Sequence, residues 1–178
     1  MCGIFGYFCR SYVNMQKVLK LLRILETHQY KSEKHPVGGH GAGVCFLNDS
    51  GELTVYKIGK EGKISPVIPH LFEEKLRKYH DEIEARKKTL ENIEGNNAIA
   101  ILSATKNDRV FLHILHKGQS RGMHIWKNDH GEIIFCSRPK PLQQIFRTFL
   151  KKNNFKKILS ISYQEPKETQ QTYRIVFL

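Results

Sequence analysis

A cysteine stands directly behind Met1, in the string Cys2-Gly3-Ile4-Phe5-Gly6-Tyr7. At that position alone, removal of Met1 leaves a thiol and the free α-amine on one residue. The amine, with an unperturbed pKa near ~8, then takes the thiol proton at neutral pH without help from a histidine. A thiolate made in this way attacks an amide carbonyl and passes through a thioester. A cysteine in a short apolar strand also has a plainer use as a small hydrophobe, so the chemistry rests on the string as a whole.

The elements that must position this residue are legible as apolar patterns. Ile4 to Phe8 reads as a buried strand, and Asn14 as the N-cap of a helix with Val18, Leu21, Leu22 and Leu25 on one face. Lys31 to Gly39, with Pro36 and two glycines, reads as a loop. Gly41 to Leu47 and Glu52 to Ile58 flank Asn48-Asp49-Ser50-Gly51 and predict a hairpin. From Pro69 to about Glu94 the apolar residues Phe72, Leu76, Tyr79, Ile83, Leu90 and Ile93 predict one long amphipathic helix ending before Gly95. Strands are expected at Ala98 to Ser103, Arg109 to Leu115, Met123 to Trp126, Glu132 to Cys136, Lys157 to Tyr163 and Tyr173 to Phe177, and a helix at Pro141 to Leu150. Strands interrupted by helices in this way indicate α+β with mainly antiparallel sheets. The apolar content of Ala98 to Leu102, Val110 to Leu115 and Ile133 to Cys136 indicates cover on both faces.

With 178 residues, the chain is expected to form one domain over 1–178, large enough for a core without disulfides or metal. Cys2, Cys9, Cys45 and Cys136 lie at unrelated spacings, the pattern of reduced thiols in a cytoplasmic protein. No start resembles an export signal and no run approaches the ~18 apolar residues of a membrane span. Twenty-nine Lys and Arg against seventeen Asp and Glu give a net charge of +12. Contact with nucleic acid, another polyanion or an acidic partner is one use of that charge, and a solvated surface is the other.

Cys-Gly-Ile-Phe-Gly resembles the opening of the class II glutamine amidotransferases, N-terminal-nucleophile hydrolases that split glutamine to glutamate and ammonia. A second stretch, Leu25-Glu26-Thr27-His28-Gln29-Tyr30 followed by Gly41-Ala42-Gly43-Val44, is similar to the family's Leu-Glu-Tyr-Arg-Gly-Tyr-Asp-Ser-Ala-Gly-Val. His28 then takes the place of the family arginine. A looser match runs from Gly95 through Lys117 to Trp126 and on to Glu132-Ile133-Ile134-Phe135-Cys136-Ser137, with Arg138 where the family has glutamate. The resemblance implies an αββα four-layer sandwich, Cys2 as nucleophile with its own amine as base, and glutamine or another small amide as substrate. It implies no cofactor and no metal, and an ammonia-accepting partner protein.

The family's His-Thr-Arg strand, Asn-Gly turn and Asp-containing helix start have no counterparts between Gly43 and Asn97, and the chain holds no Asn-Gly dipeptide. Those motifs supply the oxyanion donors and the clamp on the substrate's amino-acid end. Substitutes for them are His28, His40 between Gly39 and Gly41, Gly41 itself, Asn96 with Asn97, and Arg121 as a carboxylate or phosphate ligand. Each has a plainer use as a loop or turn residue. His113 and His116 fall on an expected strand without companion ligands at metal spacing. Three functions stay open: a glutamine-type amide hydrolase, an amidase whose acyl group has no free amino-acid end, and a non-enzymatic descendant that binds or assembles through its basic surface.

Overall fold

The computed structural model describes residues 3–31, 33, 41–47, 53–59, 67–95, 97–104, 110–118, 122–161 and 171–177. In chain order its elements are β1 (Phe5–Phe8), α1 (Met15–Thr27), β2 (Gly41–Leu47), β3 (Leu53–Gly59), α2 (Val67–Tyr79), α3 (Glu82–Glu91), β4 (Asn97–Ala104), β5 (Val110–Lys117), β6 (Met123–Lys127), β7 (Ile133–Cys136), α4 (Pro139–Lys152), β8 (Lys156–Ile161) and β9 (Gln171–Phe177). All strand pairings among the described residues are antiparallel, as expected of an α+β chain. The chain clusters into two compact units, Met1–Gly39 with Gln119–Lys167, and His40–Gly118 with Glu168–Leu178. No helix among the described residues is long and apolar enough to cross a membrane.

The first unit holds a four-stranded sheet in the order β1-β7-β6-β8. Helix α1 begins where Asn14 accepts the backbone N–H of Lys17 at 3.2 Å, the N-cap its sequence predicts. Its Val18, Leu21 and Leu25 pack with Leu142, Phe146 and Leu150 of α4 onto Trp126, Ile134 and Cys136 of the sheet. Phe5 and Tyr7 extend that cluster. All four residues of β7 are buried, so this strand is covered on both faces. The β6–β7 turn is closed by Asn128, whose side-chain oxygen accepts the N–H groups of His130 and Glu132 at 3.1 and 2.9 Å. Gly131 sits there at φ +78°, a conformation that suits glycine.

The second unit holds the three-stranded sheet β4-β5-β9 and the hairpin β2-β3. The hairpin strands pair from Gly41↔Gly59 to Leu47↔Leu53, and its turn lies outside the described residues, as does most of the expected Lys31–Gly39 loop. Phe72, Ala85 and Leu90 pack on Ile101 and Leu115 to form the core here. On β5 the run Phe111 to His116 is wholly buried, while Ala98, Ile99 and Ala100 on β4 are only half-buried.

The single long helix expected after Pro69 is two helices. His80 turns to φ +52°, which ends α2, and Asp81 then caps α3 by accepting the N–H of Glu84 at 2.8 Å. Both helices pack on one apolar cluster, so the apolar spacing continues across a break that it does not itself reveal. Ile83, counted in that apolar stripe, is 54% exposed, and Ala85 is the buried residue instead. Helix α3 stops at Glu91 with Asn92 as its C-cap, ahead of Gly95. Lys117 closes that end, donating to the carbonyls of Leu90 and Ile93 at 3.0 and 2.8 Å.

Candidate functional site

Strand β1 is apolar and short, and its place in the sheet is fixed by the partner it finds. Phe5 pairs with Cys136 and Phe8 with Ile133. One residue earlier, the N–H of Ile4 donates to Ser137 Oγ at 2.9 Å and the N–H of Ser137 returns a bond to the Ile4 carbonyl at 2.9 Å. The backbone two residues beyond Cys2 is thus held on both of its polar groups. Gly6 lies under the Phe135 ring, where an added Cβ would stand 2.6 Å from Cε1. The glycine in the string therefore has a packing reason, and the chemical content of the string rests on Cys2.

Further along, Ser11 donates its N–H to Glu132 at 2.7 Å, and Asn128 binds the other oxygen of that carboxylate at 2.6 Å. Burial pushes the Glu132 pKa up, but these bonds outweigh it and hold the group below its ordinary value. At the sheet end where β1 starts, Cα partners place Phe5, Cys136, His124 and Ser160 in one row across all four strands. His124 is buried and its Nδ1 lies 3.0 Å from Ser160 Oγ. Gly122, beside this row, has room for no side chain, since a Cβ there would come within 2.8 Å of the Ser137 carbonyl and 3.2 Å of that of Ile161.

The C-terminus of α1 leads into a second group of side chains in this unit. His28 is the C-cap of α1, its N–H donating to the Leu25 carbonyl at 3.4 Å. Its ring meets Tyr30 edge-on at 5.0 Å, and the Arg138 guanidinium lies over the same Tyr30 ring at 4.2 Å. Arg138 donates to Glu33 at 2.5 Å, with both side chains almost wholly buried. Glu33 also accepts the N–H of Tyr30 at 2.8 Å. Burial lowers the His28 pKa, and Arg138 and Lys140 lower it further against the opposing Glu33. The imidazole is therefore neutral at pH 7, and its buried Nδ1 has no hydrogen-bond partner among the described residues.

Two of the residues that depart from the amidotransferase pattern, His28 and Arg138, thus meet on one tyrosine. Neither offers what a carboxylate clamp needs. His28 is uncharged, and the charge of Arg138 is met by a buried glutamate. Burial likewise pushes the thiols of Cys9 and Cys136 up to about 12, so neither is a nucleophile at neutral pH.

Of the site residues expected from the sequence, Cys2, His40, Arg121 and Asn96 lie outside the described residues. His28 falls in the first unit. Gly41 opens β2 in the second. Asn97, expected as a turn residue, opens β4 opposite Lys117, and its side-chain amide donates back to the carbonyls of Glu94 and Gly95 at 2.9 and 3.2 Å. His113 is a core residue whose ring contacts Arg86 at 3.3 Å and Ser103 at 2.9 Å. No group of three or more His, Cys, Asp or Glu side chains among the described residues is arranged to hold a metal ion. Tyr30 and Ser137 enter the sequence reading only inside family-like strings, with no role of their own, and Glu33 and the His124–Ser160 pair have no mark in their spacing.

No protein-family model, curated protein or solved structure matches this chain.

Proposed function

We propose that this chain is an amide hydrolase of the N-terminal-nucleophile kind, resembling the class II glutamine amidotransferases, with Cys2 as nucleophile and its own α-amine as base. The carrying observation is the Cys2–Tyr7 string in the sequence, together with the Ile4 backbone, which is held at both of its polar groups by Ser137 just ahead of β1. A nucleophile needs a fixed approach to its carbonyl, and a backbone pinned two residues away supplies that kind of anchor. Each unit contributes an antiparallel sheet bearing two helices, the half of an αββα sandwich, and that four-layer architecture is part of the proposal.

The reaction breaks the C–N bond of a primary amide. The Cys2 thiolate adds to the carbonyl, the α-ammonium returns its proton to the departing nitrogen, and ammonia leaves a thioester that water then hydrolyses. Glutamine is the substrate the resemblance implies, and a partner protein that accepts the ammonia completes the scheme. The absent donor and clamp motifs bear on rate. One lost oxyanion donor costs ~100- to 1000-fold, and the neutral His28 and paired Arg138 do not restore a carboxylate clamp.

Ammonia release tests this. Slow release from millimolar glutamine, below about one turnover per second and abolished by Cys2→Ala, is expected. Faster release from a small amide lacking the α-carboxylate would identify the amidase of other specificity. Absence of Cys2-dependent release from either substrate, in material that mass spectrometry shows has lost Met1, would refute the proposal.

A further inference from the structure

The run from Pro139 to Ile161 carries six basic residues, Lys140, Arg147, Lys151, Lys152, Lys156 and Lys157, and neither Asp nor Glu. It forms α4, a short turn and β8, all in the first unit. Beside α4 lies an open groove of about 590 Å³, with Gln143, Gln144, Arg147 and Lys151 of the helix along one side and Trp126 of β6 and Phe155 of the turn among its apolar lining. Lys157 of β8 adds a third cation at its margin, its Nζ 5.3 Å from the centroid of the Trp126 ring that lines the groove.

Lys127 and Lys156 are direct cross-strand partners one position from the Trp126–Lys157 pair, which puts them on the other face of the sheet. The Asp129 carboxylate lies 3.8 Å from Lys156, and both groups are exposed. Lysines on a terminal strand of a sheet discourage edge-to-edge pairing, which accounts for those on β8. It does not account for Arg147 and Lys151 on the helix.

The composition of the groove selects its ligand. Lysine is depleted at protein–protein interfaces, whereas interfaces with nucleic acid are more polar and far more positive. Five of the six cations are lysines. A single-strand site further needs open aromatic faces for bases to stack on. Here Trp126 is 3% exposed with Lys157 over its ring, and Phe155 is stacked on Phe149 at 5.8 Å.

We propose that the groove lined by α4, Trp126 and Phe155 binds the phosphate backbone of duplex nucleic acid without reading its sequence. Arg147, Lys151 and Lys157 make the central contacts, and Lys140 and Lys152 of the same helix extend the positive field. The proposal stands apart from the chemistry of Cys2.

Fluorescence anisotropy with a short labelled DNA duplex of mixed sequence, from low to physiological salt, is the test. Three neutralised phosphates give a log–log salt slope of about −3. The triple variant Arg147→Gln, Lys151→Gln, Lys157→Gln is expected to bind about tenfold or more weakly with a flattened slope. A control triple on the exposed face of α1, Lys17→Gln, Lys20→Gln, Arg23→Gln, removes the same charge and is expected to stay within about twofold. Thermal melts confirm that each variant is folded, as surface substitutions allow. An equal loss in both triples would overturn the proposal, as would unchanged binding in the groove variant. So would tighter binding of a single strand, or of a polyglutamate peptide of equal charge, than of the duplex.

Discussion

In the second unit the imidazole of His113 is engaged at both nitrogens, by Arg86 and by Ser103, whereas in the first unit the buried Nδ1 of His28 meets no partner among the described residues. Arginine only donates, so Nδ1 of His113 must accept and Nε2–H must point to Ser103. That ring is locked in one neutral tautomer by its neighbours. In the first unit the arginine turns instead to Glu33, and the histidine shares only the Tyr30 ring with it. A histidine satisfied at both ends is a piece of core, while one with an open buried nitrogen retains capacity for a ligand. Each arginine has a carboxylate, Glu82 at 3.8 Å from Arg86 and Glu33 against Arg138, but only Arg86 also reaches the histidine beside it, and this difference gives the two units opposite kinds of site.

The strongest test of this contrast is to break the buried ion pair. Arg138→Met or Glu33→Gln alone leaves the partner uncompensated in the interior and is expected to cost about 3 to 5 kcal/mol by urea denaturation. The double replacement Arg138→Met with Glu33→Met is expected to recover most of that loss. A single variant within about 1 kcal/mol of the unaltered chain would show that the pair is not buried as described.

Next in size is His113→Leu, which removes one hydrogen-bond partner each from Ser103 and Arg86 and is expected to cost about 1 to 3 kcal/mol. His28→Leu, which breaks no ring-nitrogen hydrogen bond seen here, is expected to cost at most about 1 kcal/mol. Equal losses at the two positions would remove the distinction between core and site histidine.

The smallest effect is on pH dependence. The folded-state pKa of His28 is lowered by burial and by Arg138 and Lys140, so the unfolded chain takes up the proton first. The stability this contributes is full above the ordinary value of 6.5 and is lost as pH falls from there through the folded value. Glu132, held below 4.5, loses its contribution in a separate and more acid range. Melting temperatures measured across weakly acid pH should therefore decline, and His28→Leu should flatten the upper part of that decline. A variant with the same slope there would show that His28 does not titrate in this way.

Much of the fold was legible because its elements carry simple patterns. The apolar face of α1 with its Asn14 cap, the alternating or apolar strands and the Asn128–Gly131 turn all state their geometry locally. The division between α2 and α3 was not legible, because a left-handed histidine followed by a capping aspartate leaves the apolar period unbroken. The Arg138–Glu33 pair was invisible for a different reason. Its partners are 105 residues apart, and only the packing of α1 and α4 on one sheet brings them together. In the sequence Arg138 shows as a departure from the amidotransferase pattern, and in the fold it becomes one half of a buried pair. The chemistry proposed for the N-terminal string, by contrast, rests on its residue types alone.

That chemistry is tested most directly by mapping where a diazo-ketone glutamine analogue attaches. Thiols at Cys9 and Cys136, pushed by burial up to about 12, stay protonated and should react slowly. Peptide mapping of the folded protein is expected to find the label first on Cys2, in molecules that have lost Met1. Label spread evenly over the cysteines, or Cys2 modified as readily with Met1 retained, would contradict an N-terminal nucleophile.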